Sequence, residues 1–187
     1  MKYFRIRQED RDGQNCLIRG LITLPCAEDL RRGEIRGLPL SSSHYITSSF
    51  DVLPEILCKQ IFMVSQGLFE LVTLYLGETE YRNFFLEDDQ GRQAFYYIPQ
   101  LPLMDCLSEQ SRSNPDKSRI ERTIIKAGRD YPDIFQISGI RDRAYILSLP
   151  FAESLLRRGA GGFFLEEAAV EEKPDTEKNL HMGGREL

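Results

Sequence analysis

The chain has 187 residues, a formal net charge of −5, 41% hydrophobic and 10% aromatic residues. That length can bury a core without metal or disulfides, and four cysteines without CxxC spacing argue against a zinc site or disulfide framework. The charge is uneven: from Glu166 onward seven acids face three bases, so the rest of the chain is nearly neutral. A near-neutral body lacks the basic footprint of a nucleic-acid binder.

The start, MKYFRIRQEDRD, is too charged for a signal peptide. The most apolar run, 68–76, is interrupted by Glu70 and falls far short of the roughly 20 residues of a membrane span. A cytoplasmic protein with no membrane partner is expected, its thiols free and mostly buried.

In chain order, residues 3–7 and 16–23 read as strands, with Asp12-Gly13 as a turn between them. Residues 27–32 suit a helical turn, 33–43 a loop, 45–50 an extended run, and 54–58 the start of a short helix. Residues 61–64 form a compact apolar strand, after which Ser65 is placed to cap a helix. Leu68, Leu71, Val72 and Tyr75 then share one helical face, and Gly77 ends it. Residues 81–86 and 93–98 make a hairpin across the polar turn Glu87-Asp88-Asp89-Gln90-Gly91.

Residues 119–126 and 134–137 read as further strands. Residues 145–147 are a strand, Ser148 a cap with Pro150 in the first turn, and Phe151 and Leu155 one helical face. Glu153 and Arg157 have favourable i, i+4 spacing, and Gly159 ends the helix before a strand at 163–165.

The tetrapeptide Phe84-Phe85-Leu86-Glu87 recurs as Phe163-Phe164-Leu165-Glu166. Each copy closes a strand–helix–strand unit. At a shift of about 83 residues, Phe62-Met63-Val64-Ser65 lies over Tyr145-Ile146-Leu147-Ser148. The expected fold is α+β, with mostly antiparallel sheets and two short helices in pseudo-duplicated units. It forms a single domain over 1–166, alternatively halves at 1–100 and 101–166, followed by a mobile acidic tail over 167–187.

Catalytic chemistry is scarce. His181 lies in the tail, and His44 adjoins serines, but neighbours in a strand point to opposite faces, which makes Ser43–His44 a poor pair. The glycines at 159–162 follow a helix, whereas phosphate cradles precede one. Arg31-Arg32 and Arg141/Arg143 read as solvated faces, and Glu87-Asp88-Asp89 lacks the alternating carboxylates of a calcium loop. No metal, cofactor or catalytic residue is expected. Phe95, Tyr96 and Tyr97 lie in a hairpin strand whose alternation exposes one side, and exposed aromatics mark interfaces.

The run Asp133-Ile134-Phe135-Gln136-Ile137-Ser138-Gly139, the strand Tyr145-Ile146-Leu147-Ser148, the helix through Leu155-Leu156 and the exit Gly161-Gly162-Phe163-Phe164-Leu165-Glu166-Glu167 together resemble the eleventh immunity family of bacterial polymorphic toxin systems. Residues 61–65 and the following helix look like that family's earlier copy of the unit, and the resemblance covers roughly residues 45–167. It implies a small cytosolic α+β protein that binds and neutralises a cognate toxin protein without catalysis. The expected contact residues are Glu87, Asp88 and Asp89, with Tyr96 or Tyr97 nearby. The alternatives are an interaction module unrelated to toxins and a small hydrolase using Cys58 or His44.

Overall fold

The computed structural model describes residues 1–9, 16–48 and 52–172. In chain order the elements are β1 (Tyr3–Gln8), β2 (Cys16–Ile18), α1 (Ala27–Arg32), β3 (Ser41–Ser48), β4 (Ile56–Leu57) and β5 (Met63–Ser65). Then come α2 (Phe69–Leu76), β6 (Tyr81–Asp88), β7 (Gln93–Pro99), β8 (Leu103–Met104), β9 (Arg112–Ser113) and β10 (Ile120–Arg122). The chain continues with β11 (Ile124–Ile125), β12 (Ile134–Ile137), β13 (Tyr145–Ser148), α3 (Leu149–Arg157) and β14 (Phe163–Val170). The fold is α+β with mixed, mostly antiparallel sheets. It holds three short helices where two were expected, because the turn at 27–32 closes into α1 with Gly33 as its left-handed cap (φ 91°).

Two six-stranded sheets run β2-β3-β6-β7-β5-β4 and β11-β14-β1-β13-β12-β8. Five consecutive strands in each, β3-β6-β7-β5-β4 and β11-β14-β1-β13-β12, follow one plan. β5 and β6 are both antiparallel to the β7 between them, and β13 and β14 are both antiparallel to the β1 between them. Outside the closing strand a parallel neighbour follows, β3 beside β6 and β11 beside β14. Outside the opening strand lies an antiparallel one, β4 beside β5 and β12 beside β13. α2 and α3 therefore each join two parallel strands across an antiparallel third. The middle strand differs in origin: β7 follows β6 through a hairpin, whereas β1 comes from the start of the chain.

The repeated tetrapeptide does not occupy equivalent positions. Val64 stands opposite Tyr97, and Tyr97 opposite Asn83; in the other sheet Leu147 stands opposite Phe4, and Phe4 opposite Glu167. Asn83 thus matches Glu167, and Phe84 matches Ala168. Phe84 and Leu86 are buried in the core beneath the first sheet, while Phe163 and Leu165 pack on the core shared by α2 and α3. A shift of one residue in a strand reverses which face a side chain meets. The acids Glu166 and Glu167 are also not at a strand end, because β14 runs on to Val170 where the tail was expected to begin. Its extension pairs Ala168 with Tyr3 and Ala169 with Ile124. The rest of the expected tail, 173–187, lies outside the described residues, as does the Asp12-Gly13 turn.

Other local expectations yield to tertiary pairing. Residues 16–23 form a strand only to Ile18, because Gly20 (φ 75°) turns the chain into a short 3₁₀ segment, Leu21–Thr23. Ser41-Ser42-Ser43 is strand rather than loop, held by the parallel register of β3 with β6. Residues 54–58 form no helix; Ile56 and Leu57 are buried and pair with β5.

α2 and α3 meet in the central core. Leu68, Leu71 and Val72 from the α2 region join Phe151 and Leu155 of α3, with Ile6, Val64, Tyr145 and Leu147 from both sheets. Tyr75 fixes the contact: its ring lies 4.9 Å from that of Phe151, and its hydroxyl is 2.7 Å from Ser154 Oγ. The first capping expectation fails and the second holds. Ser65 precedes a 3₁₀ turn and makes no side-chain capping bond. Ser148 Oγ accepts from Phe151 N–H at 3.4 Å while donating to the Asp133 carboxylate. Gly33 marks a close approach between the halves, since a Cβ there would sit 2.5 Å from Leu103 Cδ2. No helix among the described residues is long and apolar enough to cross a membrane.

Candidate functional site

Among the described residues the β6–β7 hairpin is the longest ladder, pairing Tyr81 with Pro99 through Glu87 with Gln93. Alternation sends Phe84, Leu86, Tyr96 and Ile98 into the core. The opposite face carries Phe85, Phe95, Tyr97 and Tyr81. α2 covers only one end of it: Phe69 stacks on Tyr97 at 4.0 Å and meets Tyr81 edge-on at 5.0 Å. Beyond the helix the ladder continues outward, Tyr97 to Phe95 at 4.7 Å and Phe95 to Phe85 at 4.6 Å. Such offset and edge-on ring pairs are favourable geometries and hold the side chains rigid.

Phe85 is 50% exposed, and Tyr45 on the adjoining β3 is 60% exposed. With Ser43, Glu87, Gln93 and Phe95 they line an open groove of about 510 Å³. Beside it runs a partly open sheet edge. β2 pairs only with Ile46–Ser48, and Arg19 N–H adds one bond to the Tyr45 carbonyl at 2.8 Å. Among the described residues, no strand pairs with the outer edge of β3 at Ser41, Ser42, Ser43 and His44. A rigid aromatic face next to free backbone donors and acceptors suits an extended segment of another protein.

The five residues expected from sequence divide between surface and interior. Glu87 lines the groove and accepts from Gln93 Nε2 at 2.8 Å. Tyr97 is half-buried within the aromatic ladder. Asp89 is exposed but held by Arg19, whose Nη2 reaches its two carboxylate oxygens at 2.8 and 3.0 Å. Asp88 is buried and braces the turn, accepting from the N–H groups of Gln90 and Arg92, each at 2.9 Å, and from the Arg92 guanidinium. Burial opposes its charge, but these donors outweigh it and hold the carboxyl below the usual aspartate range. Tyr96 is 1% exposed and its hydroxyl donates to the Pro54 carbonyl, with burial pushing its pKa up. Asp88 and Tyr96 are therefore structural. The residues that sequence reasoning missed are Phe85 and Tyr45. Strand alternation held the signal for Phe85: with Phe84 inside, its neighbour must face out.

His44 is half-buried and meets Ser42 rather than Ser43. Its Nε2 lies 2.9 Å from Oγ of Ser42, two residues away on the same strand face, and its ring stacks on Phe84 at 4.4 Å. Burial lowers its pKa, which favours the neutral imidazole. No carboxylate pairs with the ring among the described residues. The four cysteines are buried free thiols. No group of three or more metal-ligating side chains occurs among the described residues. No protein-family model matches the chain, and comparison with curated proteins returned no match.

Proposed function

We propose that this protein works by binding another protein, as an immunity protein that neutralises a cognate bacterial toxin in the cytoplasm without catalysis. The observation that carries the binding reading is the open aromatic face of β6–β7, whose rings continue past the end of α2 to the half-exposed Phe85. Aromatic anchors in a groove concentrate binding energy, and the sheet edge beside them can take an extended backbone. The toxin assignment rests on the motif resemblance at residues 133–167 and on the paired strand–helix–strand units.

Co-expression with the toxin from the neighbouring gene tests it. The wild-type chain restores growth and co-purifies with the toxin. Phe85→Ala weakens the complex by about 2 kcal/mol or more while leaving thermal stability within about 1 kcal/mol. Absence of both rescue and co-purification sinks the immunity reading, and undiminished binding by Phe85→Ala sinks the assigned surface. The contact between Ser42 and His44 favours a hydrolase as the second reading. It predicts ester hydrolysis that Ser42→Ala abolishes; an inactive wild type on p-nitrophenyl acetate counts against it.

A further inference from the structure

Away from the aromatic groove, the two halves enclose a second cleft. Its walls are α1 and the preceding 3₁₀ segment on one side and the loop between β12 and β13 on the other, with a volume of about 330 Å³. Arg31, Arg141 and Arg143 all line it. A larger opening of about 730 Å³ shares Arg31 and Arg141 with it, so the same cations border a space wide enough for more than a bare ion.

The local charges do not cancel. Asp142 is committed elsewhere, accepting from Arg5 at 2.7 Å and from Ile120 N–H at 2.8 Å. Asp116 lies 3.6 Å from Arg141, and Glu28 lies 3.3 Å from Arg31 and 3.7 Å from Arg32. Arg143 has no ion-pair or hydrogen-bond partner among the described residues, although it is half-buried. Arg143 lines the cleft, and none of its nitrogens is both fully enclosed and unpartnered. Burial lowers its pKa; Tyr145 opposes that shift and the like charge of Arg31 adds to it. A partly desolvated cation beside a second cation is unfavourable until an anion arrives. The surroundings of this site therefore run against the acidic net charge of the chain, −5.

We propose that this cleft binds an oxyanion, the phosphate group or carboxylate of a larger ligand, with Arg143 as its anchor and Arg31 beside it. A guanidinium offers parallel N–H donors that match two oxygens of either group. The site is separate from the aromatic face and does not depend on the toxin reading.

Isothermal titration of the full chain in low-salt, phosphate-free buffer tests the proposal, with inorganic phosphate and succinate as probes. The wild type binds at least one of them saturably. Arg143→Gln weakens that binding tenfold or more, Arg31→Gln weakens it several-fold, and Arg112→Gln, outside the cleft, leaves it unchanged. Tenfold preference for phosphate assigns a phosphoryl ligand, and preference for succinate or near-equal affinity assigns a carboxylate. Failure of the wild type to bind either probe overturns the proposal, as does equal affinity in a folded Arg143→Gln. Should Arg143→Gln not fold, unchanged affinity in Arg31→Gln overturns it instead.

Discussion

The two sheets share strand order and direction across five strands, yet their helix-side faces are covered to different extents. In the first, the central strand arrives through the long β6–β7 hairpin, which overshoots the short α2 and leaves Phe95 and Phe85 outside. In the second, the central strand is β1, and the parallel neighbour of β14 is the two-residue β11. There Phe163 and Leu165 pack on the shared core instead of extending past the helix. One topology therefore supports two roles. Strand length relative to helix length decides whether the helix-side face is filled or presented.

The connectivity difference gives the largest expected effect. Tyr3 pairs with Ala168, so the end of β14 lies beside the beginning of β1, as the end of β6 lies beside the beginning of β7. Deleting residues 1–8 removes the strand that joins β13 to β14, and circular dichroism should then show no cooperative melt. Moving those residues behind Val170 through a short turn should restore the fold, with Tm within a few degrees, since the slot is unchanged and the loop is short. A relocated chain that behaves like the deletion would break the equivalence of the two units.

Phe151→Ala should cost about 3–5 kcal/mol in denaturant unfolding, because the ring is fully buried where α3 meets Tyr75 of α2. Loss of a single transition shared by both halves is the expected signature, since this core belongs to both sheets. A loss confined to the second half, seen by hydrogen exchange, would show that the units fold independently.

The paired serines give a sharper and smaller contrast. Ser148→Ala should cost about 1 kcal/mol through the lost cap. Ser65→Ala should stay within about 0.5 kcal/mol, since that hydroxyl caps nothing. Equal costs would contradict the different helix starts.

The smallest expected effect is pH-dependent and belongs to the first unit alone. Burial lowers the folded-state pKa of His44 beneath its unfolded value of about 6.5. As pH falls below that value the unfolded chain binds the proton first, so stability declines toward the folded pKa. His44→Phe should flatten the fall in Tm as the pH drops below about 6.5; an unchanged slope would assign it to other groups.

Much of the fold was legible where local pattern and tertiary need agreed. The apolar runs around residues 63 and 145, the helix faces at Leu71/Val72 and Phe151/Leu155, and the Ser148 cap all express short-range rules. The readings at residues 41–43 and 54–58 failed because strand partners distant in sequence overrode weak local preference. Of the expected contact residues, Glu87 lines the groove and Tyr97 belongs to the aromatic ladder, but sequence could not tell that Asp88 and Tyr96 turn inward. Charge and aromaticity do not reveal which strand face a residue occupies, and register fixes that face.

The sequence by itself determined the α+β character and the two strand–helix–strand units. Only the tertiary structure decided that β1 supplies the central strand of the second sheet, that the repeated tetrapeptide lies out of register, and that Arg31, Arg141 and Arg143 converge. Those outcomes depend on pairings between residues more than a hundred positions apart, as for Tyr3 with Ser148. Long-range pairing is set by the shared core and the closing of long loops, which no local window of sequence contains.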